Sequence, residues 1–121
     1  MSRPSHKEIN RRIKQAKEAV LENRISIINP MSAATDALEL GINIRHISNI
    51  LIHLLNEITP KDYAGQYPPQ HSYEDEIKDS ELLAFQWLSK KLGCRVYLKF
   101  TIKENQLWLV SLHQVRKMRG E

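Results

Sequence analysis

Tyr97, Lys99, Ser111 and His113 lie on two stretches, 96–102 and 107–113, in which apolar and polar residues alternate near the C-terminal end of the chain. Alternation of period two puts every second side chain on one face of a strand. A phenol, an ammonium, a hydroxyl and an imidazole gathered on one face can bind a phosphodiester and move its protons. Cutting RNA without a metal needs a base for the 2′-hydroxyl, an acid for the departing 5′-oxygen and a cation for the charge growing on phosphate. An imidazole titrates near neutral pH and so suits His113 as acid or base, while Tyr97 can orient or donate and Lys99 can neutralise. The plain structural alternative is a half-exposed sheet face whose Tyr and His pack under a helix.

The register of that hairpin decides whether these side chains meet. A loop of even length would place Trp108, Val110 and Leu112 on the polar side beside Lys99. A three-residue loop, Glu104-Asn105-Gln106, instead pairs Tyr97 with His113 and unites Val96, Leu98, Phe100, Ile102, Trp108, Val110 and Leu112 as one apolar face, which leaves Leu107 and Leu109 on the chemical face. That register is the expectation, with Asn105 or Gln106 in the left-handed region.

The elements that must carry the hairpin can be read from period and punctuation. Ser5 and Glu8 form a capping box ahead of Ile9, Ile13, Ala16 and Val20, which predicts a helix from about 6 to 22 with Arg11, Arg12, Lys14 and Lys17 on its other face. Residues 24–30 read as a short strand or extended linker stopped by Pro30. Ser32 is expected to cap a short helix that Gly41 ends, and Asn43 a longer one with an apolar stripe of Ile47, Ile50, Leu51, Leu54, Leu55 and Ile58. From 59 to about 79 there is no clean period, only Pro60, Gly65, Pro68, Pro69, three tyrosines and His71, so an ordered loop or flap is expected. From it, Tyr63, Tyr67 and Tyr73 can stack bases and His71 can partner His113. Ser80 to Gly93 has a serine start, late lysines and a glycine stop, and reads as a further helix.

Composition narrows the class. A chain of 121 residues with 41% hydrophobic and 26% charged residues is expected to be one soluble domain, residues 1–121, without a membrane span. The N-terminus shows no apolar secretory segment, which makes the cytoplasm the expected location. The lone Cys94 excludes an intramolecular disulfide, and His46 and His53 stand two helical turns apart, roughly 10 Å, too far to share a metal. No glycine-rich phosphate loop, paired cysteine motif or nucleophile elbow is present, so neither a metal nor a cofactor is expected. The net charge of +4 concentrates at the two ends, with Arg3, Lys7, Arg11, Arg12, Lys14, Lys17 and Arg24 early and Lys90, Lys91, Arg95, Lys99, Lys103, Arg116, Lys117 and Arg119 late. If the ends meet, they form one positive surface for a polyanion. Arg95, Lys99, Ser111, Arg116, Lys117 and Tyr67 are the expected RNA-binding residues.

Several segments in order carry a family resemblance: a basic amphipathic helix, Ala34-Thr-Asp-Ala-Leu-Glu-Leu-Gly-Ile42, the helix beginning Ile47-Ser-Asn-Ile-Leu, a Tyr/His-bearing loop, and Val96-Tyr-Leu-Lys-Phe-Thr-Ile followed by Leu109-Val-Ser-Leu. From about Ser5 to Gln114 the chain resembles the MqsR family of messenger-RNA interferase toxins, in the RelE-like superfamily. The resemblance implies an α+β fold, a small antiparallel sheet with a C-terminal hairpin packed on N-terminal and central helices. It also implies metal-independent, sequence-selective cleavage of mRNA and a cognate antitoxin as partner. The family's strand tyrosine falls on Tyr97 and its C-terminal basic residue on His113; a Tyr-Lys pair after the long helix falls on Tyr63-Ala64, with Lys61 as a substitute from the other side. A glutamine that the family carries in a Trp-Gln-Asp-Val-Tyr run has no clear counterpart, since the sequence has His71-Ser-Tyr-Glu-Asp there and then an inserted helix-like segment. Two other readings stay open: a catalytically inactive nucleic-acid-binding or regulatory protein, and a protein-interaction subunit whose hairpin extends a partner's sheet.

Overall fold

The computed structural model describes residues 6–65 and 69–115. Three helices and four strands follow in the order α1 (His6–Leu21), β1 (Ile25–Ile27), α2 (Pro30–Glu39), α3 (Ile47–Glu57), β2 (Leu83–Ser89), β3 (Cys94–Lys103) and β4 (Gln106–Gln114). The strands form one sheet in the order β1-β4-β3-β2. The α+β architecture matches expectation, but the sheet is mixed: β1 runs parallel to β4, and the other pairings are antiparallel.

α1 buries Ile9, Ile13, Ala16, Ala19 and Val20, the stripe its periodicity predicts. α3 buries Ile47, Leu51, Leu54 and Leu55 against the same core. At α2 the details differ from expectation. Asn29, not Ser32, is the cap, its side chain accepting from the Ser32 amide at 3.4 Å, and Pro30 opens the helix because proline's missing N–H costs nothing in the first turn. Gly41 at φ +77° ends α2 as expected. Asn43 caps a 3-10 turn over Ile44–His46 that leads into α3. The Ser5 cap lies outside the described residues.

The largest correction concerns residues 80–93, which form a strand and a turn rather than a helix. Leu82, Leu83, Ala84 and Phe85 are consecutive and all buried, because the strand is covered on both faces. Such a strand shows a continuous apolar run with no period of two, which a short helix mimics. The stop signals belong to a hairpin turn: Gly93 at φ +72° donates its amide to the Ser89 carbonyl at 2.9 Å, and the Leu92 amide reaches Ser89 Oγ at 3.1 Å. Glu57 fastens this turn to α3 by accepting from Trp87 Nε1 and the Lys91 amide, both at 2.8 Å.

The helix-side face of the sheet carries Leu83, Phe85 and Trp87 from β2, Val96, Leu98 and Phe100 from β3, and Leu107, Leu109 and Leu112 from β4, all in the main core. Among the described residues no helix is long and apolar enough to cross a membrane.

Candidate functional site

The hairpin turn has two residues, not three. Lys103 pairs with Gln106 across Glu104 and Asn105, at φ 54° and 63°, the pair of left-handed residues that a tight type I′ turn requires. An even ladder carried on from that turn would set Tyr97 opposite Leu112. Instead Phe100 pairs with Leu109 and Lys99 with Ser111, so Val110 is an extra, unpaired residue on β4. This β-bulge shifts the register by one and brings Tyr97 opposite His113. The expected Tyr97–His113 pairing is therefore met by a different route, and the tip is corrected. Leu107 and Leu109 are core, 0% and 1% exposed, and Trp108 moves to the other face, opposite Thr101 and beside Ser26. One face thus collects Tyr97, Lys99, Ser111 and His113 with neither α1 nor α3 over it.

The rings of Tyr97 and His113 stack with centroids 5.1 Å apart and planes 23° from parallel. Lys99 Nζ lies 6.0 Å from the Tyr97 centroid. Burial pushes the Tyr97 phenol above its ordinary value, so it stays protonated at neutral pH and acts as a hydrogen-bond donor. His113 Nδ1 is 3.0 Å from the Gln114 carbonyl. A carbonyl only accepts, so Nδ1 carries the hydrogen and the neutral ring's free lone pair is on Nε2. Arg95, exposed, continues the face beyond Tyr97 opposite Leu88.

The strand assignment of β2 adds a residue absent from the expected site. Gln86 stands directly across from Tyr97, so one row of the sheet reads Gln86–Tyr97–His113. An amide at this position can donate to a phosphate oxygen or accept from a hydroxyl. Its period-two signal was masked by the neighbouring apolar run.

Other expected site residues are placed apart from this row. Tyr63 is buried in the helix-side core, edge-on to Phe85 at 5.8 Å, and its backbone bridges to Phe85 at the free edge of β2. Lys61 is exposed in a 3-10 turn over Pro60–Asp62 capped by Thr59. Ala64, where the resemblance has lysine, gives its amide to the Ala84 carbonyl at 2.8 Å. His71 is exposed and bridges Glu81, which precedes β2 and lies five residues before Gln86, roughly 16 Å along an extended chain. It is not brought to His113. Tyr67, Arg116 and Lys117 lie outside the described residues.

The two basic ends also fail to merge among the described residues. α1 packs on the helix side of the sheet, so exposed Lys7, Arg11 and Lys14 point away on the side opposite Lys99 and Arg95. Part of that charge is already paired, Arg11 to Glu8 at 2.6 Å and Arg12 to Glu8 and Glu81 at 3.3 and 3.5 Å. Among the described residues no group of three His, Cys, Asp or Glu could hold a metal ion. No protein-family model matches the chain, and no curated protein matches it in sequence.

Proposed function

We propose that the chain is an endoribonuclease that cuts messenger RNA on the uncovered half of the sheet face that points away from its helices. The observation that carries this reading is the row Gln86–Tyr97–His113 with Lys99 beside it, a donor amide, a protonated phenol, an imidazole and a cation on one open surface. His113 Nε2 takes the proton of a 2′-hydroxyl, whose oxygen bonds to phosphorus as the bond from phosphorus to the 5′-oxygen breaks. The Tyr97 phenol donates its proton to that departing oxygen, after which His113 gives the proton it took to solvent and the phenolate takes one back from it. The products are a 2′,3′-cyclic phosphate and a 5′-hydroxyl end. Lys99 and the Gln86 amide hold the charged phosphate oxygens during the step. The dependence on a 2′-hydroxyl separates RNA from DNA.

The resemblance to the MqsR family supports the same assignment, and it is strengthened by Gln86, which supplies a glutamine ahead of the strand tyrosine where the helical reading left none. It adds a cognate antitoxin protein as partner and the cytoplasm as the place of action. Replacing His113 by Ala is expected to lower RNA cleavage about 100-fold or more, the usual weight of a general acid or base, with RNA affinity and fold retained. Wild-type protein that leaves mRNA uncut under EDTA and is harmless on expression would sink the reading.

One observation favours a second reading, a binder of the same fold without cleavage: His71 is held far from His113, so the row has a single imidazole. Such a protein would bind RNA through Lys99 and Arg95, weaken on Lys99→Ala, and have no cleavage for His113→Ala to remove.

A further inference from the structure

Half of the open face is covered, and what covers it is acidic. Leu82, Ala84 and Thr101 lie on the face away from the helices yet are only 8%, 3% and 1% exposed. The segment 69–80 folds over them, and its Ile77 is 0% exposed while lying outside the helix-side core. Its two ends are fixed by the Leu82 amide on the Gln70 carbonyl at 2.7 Å, the Ser72 amide on the Ser80 carbonyl and the Asp79 amide on the Ser72 carbonyl, both at 3.0 Å. Lys103 reaches over the same face and gives Nζ to the Glu76 carbonyl at 2.8 Å. Glu74, Asp75, Glu76 and Asp79 are all exposed on this segment, with Lys78 as its sole lysine or arginine.

We propose that this acidic segment is the stop at one end of the RNA track, confining the polyanion to the half of the face that carries Arg95, Tyr97, Lys99, Ser111 and His113. This rests on the RNA reading of that face. Lys99 is two residues along β3 from Thr101, about 7 Å, so the covered part of the face begins directly beyond it. A phosphate that moves past Lys99 therefore runs up against the segment that bears Glu74, Asp75, Glu76 and Asp79. Lys103, which would otherwise extend the track, is engaged by the segment's backbone. The chain thereby sets which phosphate lies beside His113, since the RNA can advance only from the Arg95 side.

The test uses the full chain and a variant carrying E74Q, D75N and E76Q. The bonds that fold this stretch run through the backbone, from the Glu76 carbonyl to Lys103, the Glu74 carbonyl to the Ile77 amide and the Glu74 amide to Ser72 Oγ, and Ile77 is kept, so the fold survives. Near-ultraviolet circular dichroism of the tryptophans checks this. A labelled 12-nucleotide single-stranded RNA is expected to bind the variant about three- to tenfold more tightly at ~50 mM salt, with the advantage fading toward unity at ~0.5 M and a steeper salt dependence. Its nuclease footprint should lengthen on the Lys103 side. If both proteins bind RNA equally and with the same footprint, the stop is overturned and the RNA reading stands. If neither binds RNA at low salt, the RNA reading fails and the stop with it.

Discussion

The two faces of the sheet use the same strands for opposite purposes. On the helix side, Phe85, Val96, Leu98, Phe100 and Leu107 are all 0% exposed, and each is replaceable only by something of its own volume. On the other side Gln86, Tyr97, Lys99, Ser111 and His113 are half-buried. They are held by the backbone register rather than by packing. Alternation thus allows one strand pair to be rigid through one face and chemically available through the other. The bulge at Val110 is the device that reconciles them: the tip keeps Leu107 and Leu109 in the core, and the shifted half then sets His113 across from Tyr97 while Leu112 stays inside.

The contrast predicts unequal costs for two aromatic truncations on the same strand, β3. Phe100→Ala removes a fully buried ring stacked on Phe85 at 5.8 Å and should cost about 3–5 kcal/mol in urea unfolding. Tyr97→Ala, three residues earlier and on the opposite face, should cost about 1 kcal/mol while abolishing RNA cleavage. Equal costs would mean that the open face is a second core and not a site.

How much of this was legible depends on how each element is buried. α1 and α3 are covered on one stripe, so their period shows in the sequence. The pairing of Tyr97 with His113 was legible because alternation on β3 is clean, but its mechanism was not, since an unbulged ladder allows only an odd loop and a bulge leaves no mark in a run such as Leu107-Trp-Leu-Val-Ser. β2 was misread because burial on both faces erases alternation, and with β2 went Gln86, the residue facing Tyr97. The separation of His71 and Lys61 from the row depends on which edge of β2 the loop lies against, a long-range fact with no local signature.

A smaller effect probes what holds the edge strand that presents Gln86. Burial alone would raise the Glu57 pKa, but hydrogen bonds from Trp87, Ser89 and the Lys91 and Lys90 amides outweigh it and hold the carboxyl below its ordinary 4.5. A depressed folded pKa means stability that is present above about pH 4.5 and lost as pH falls through the lower folded value. Glu57→Ala, which leaves the Trp87 indole and the Lys91 amide without this acceptor, should cost roughly 2 kcal/mol at pH 7. The gap from wild type should narrow as pH falls below 4.5. A gap that stays constant from pH 7 to pH 3 would mean that Glu57 acts through packing alone.

The smallest effect is at the tip, where neither face is involved. Glu104 sits at φ 54°, and a residue with a Cβ in the left-handed region costs roughly 1 kcal/mol relative to glycine, which accepts it without strain. Glycine also gives the unfolded chain more freedom, which offsets part of the gain. Glu104→Gly should therefore stabilise the protein by only about 0.5 kcal/mol in urea unfolding, and it should leave RNA cleavage untouched, because the bulge at Val110 and not the turn sets the row of Tyr97 and His113. A change in cleavage on this substitution would show that the turn and the site are one mechanical unit, and that the bulge does not insulate them.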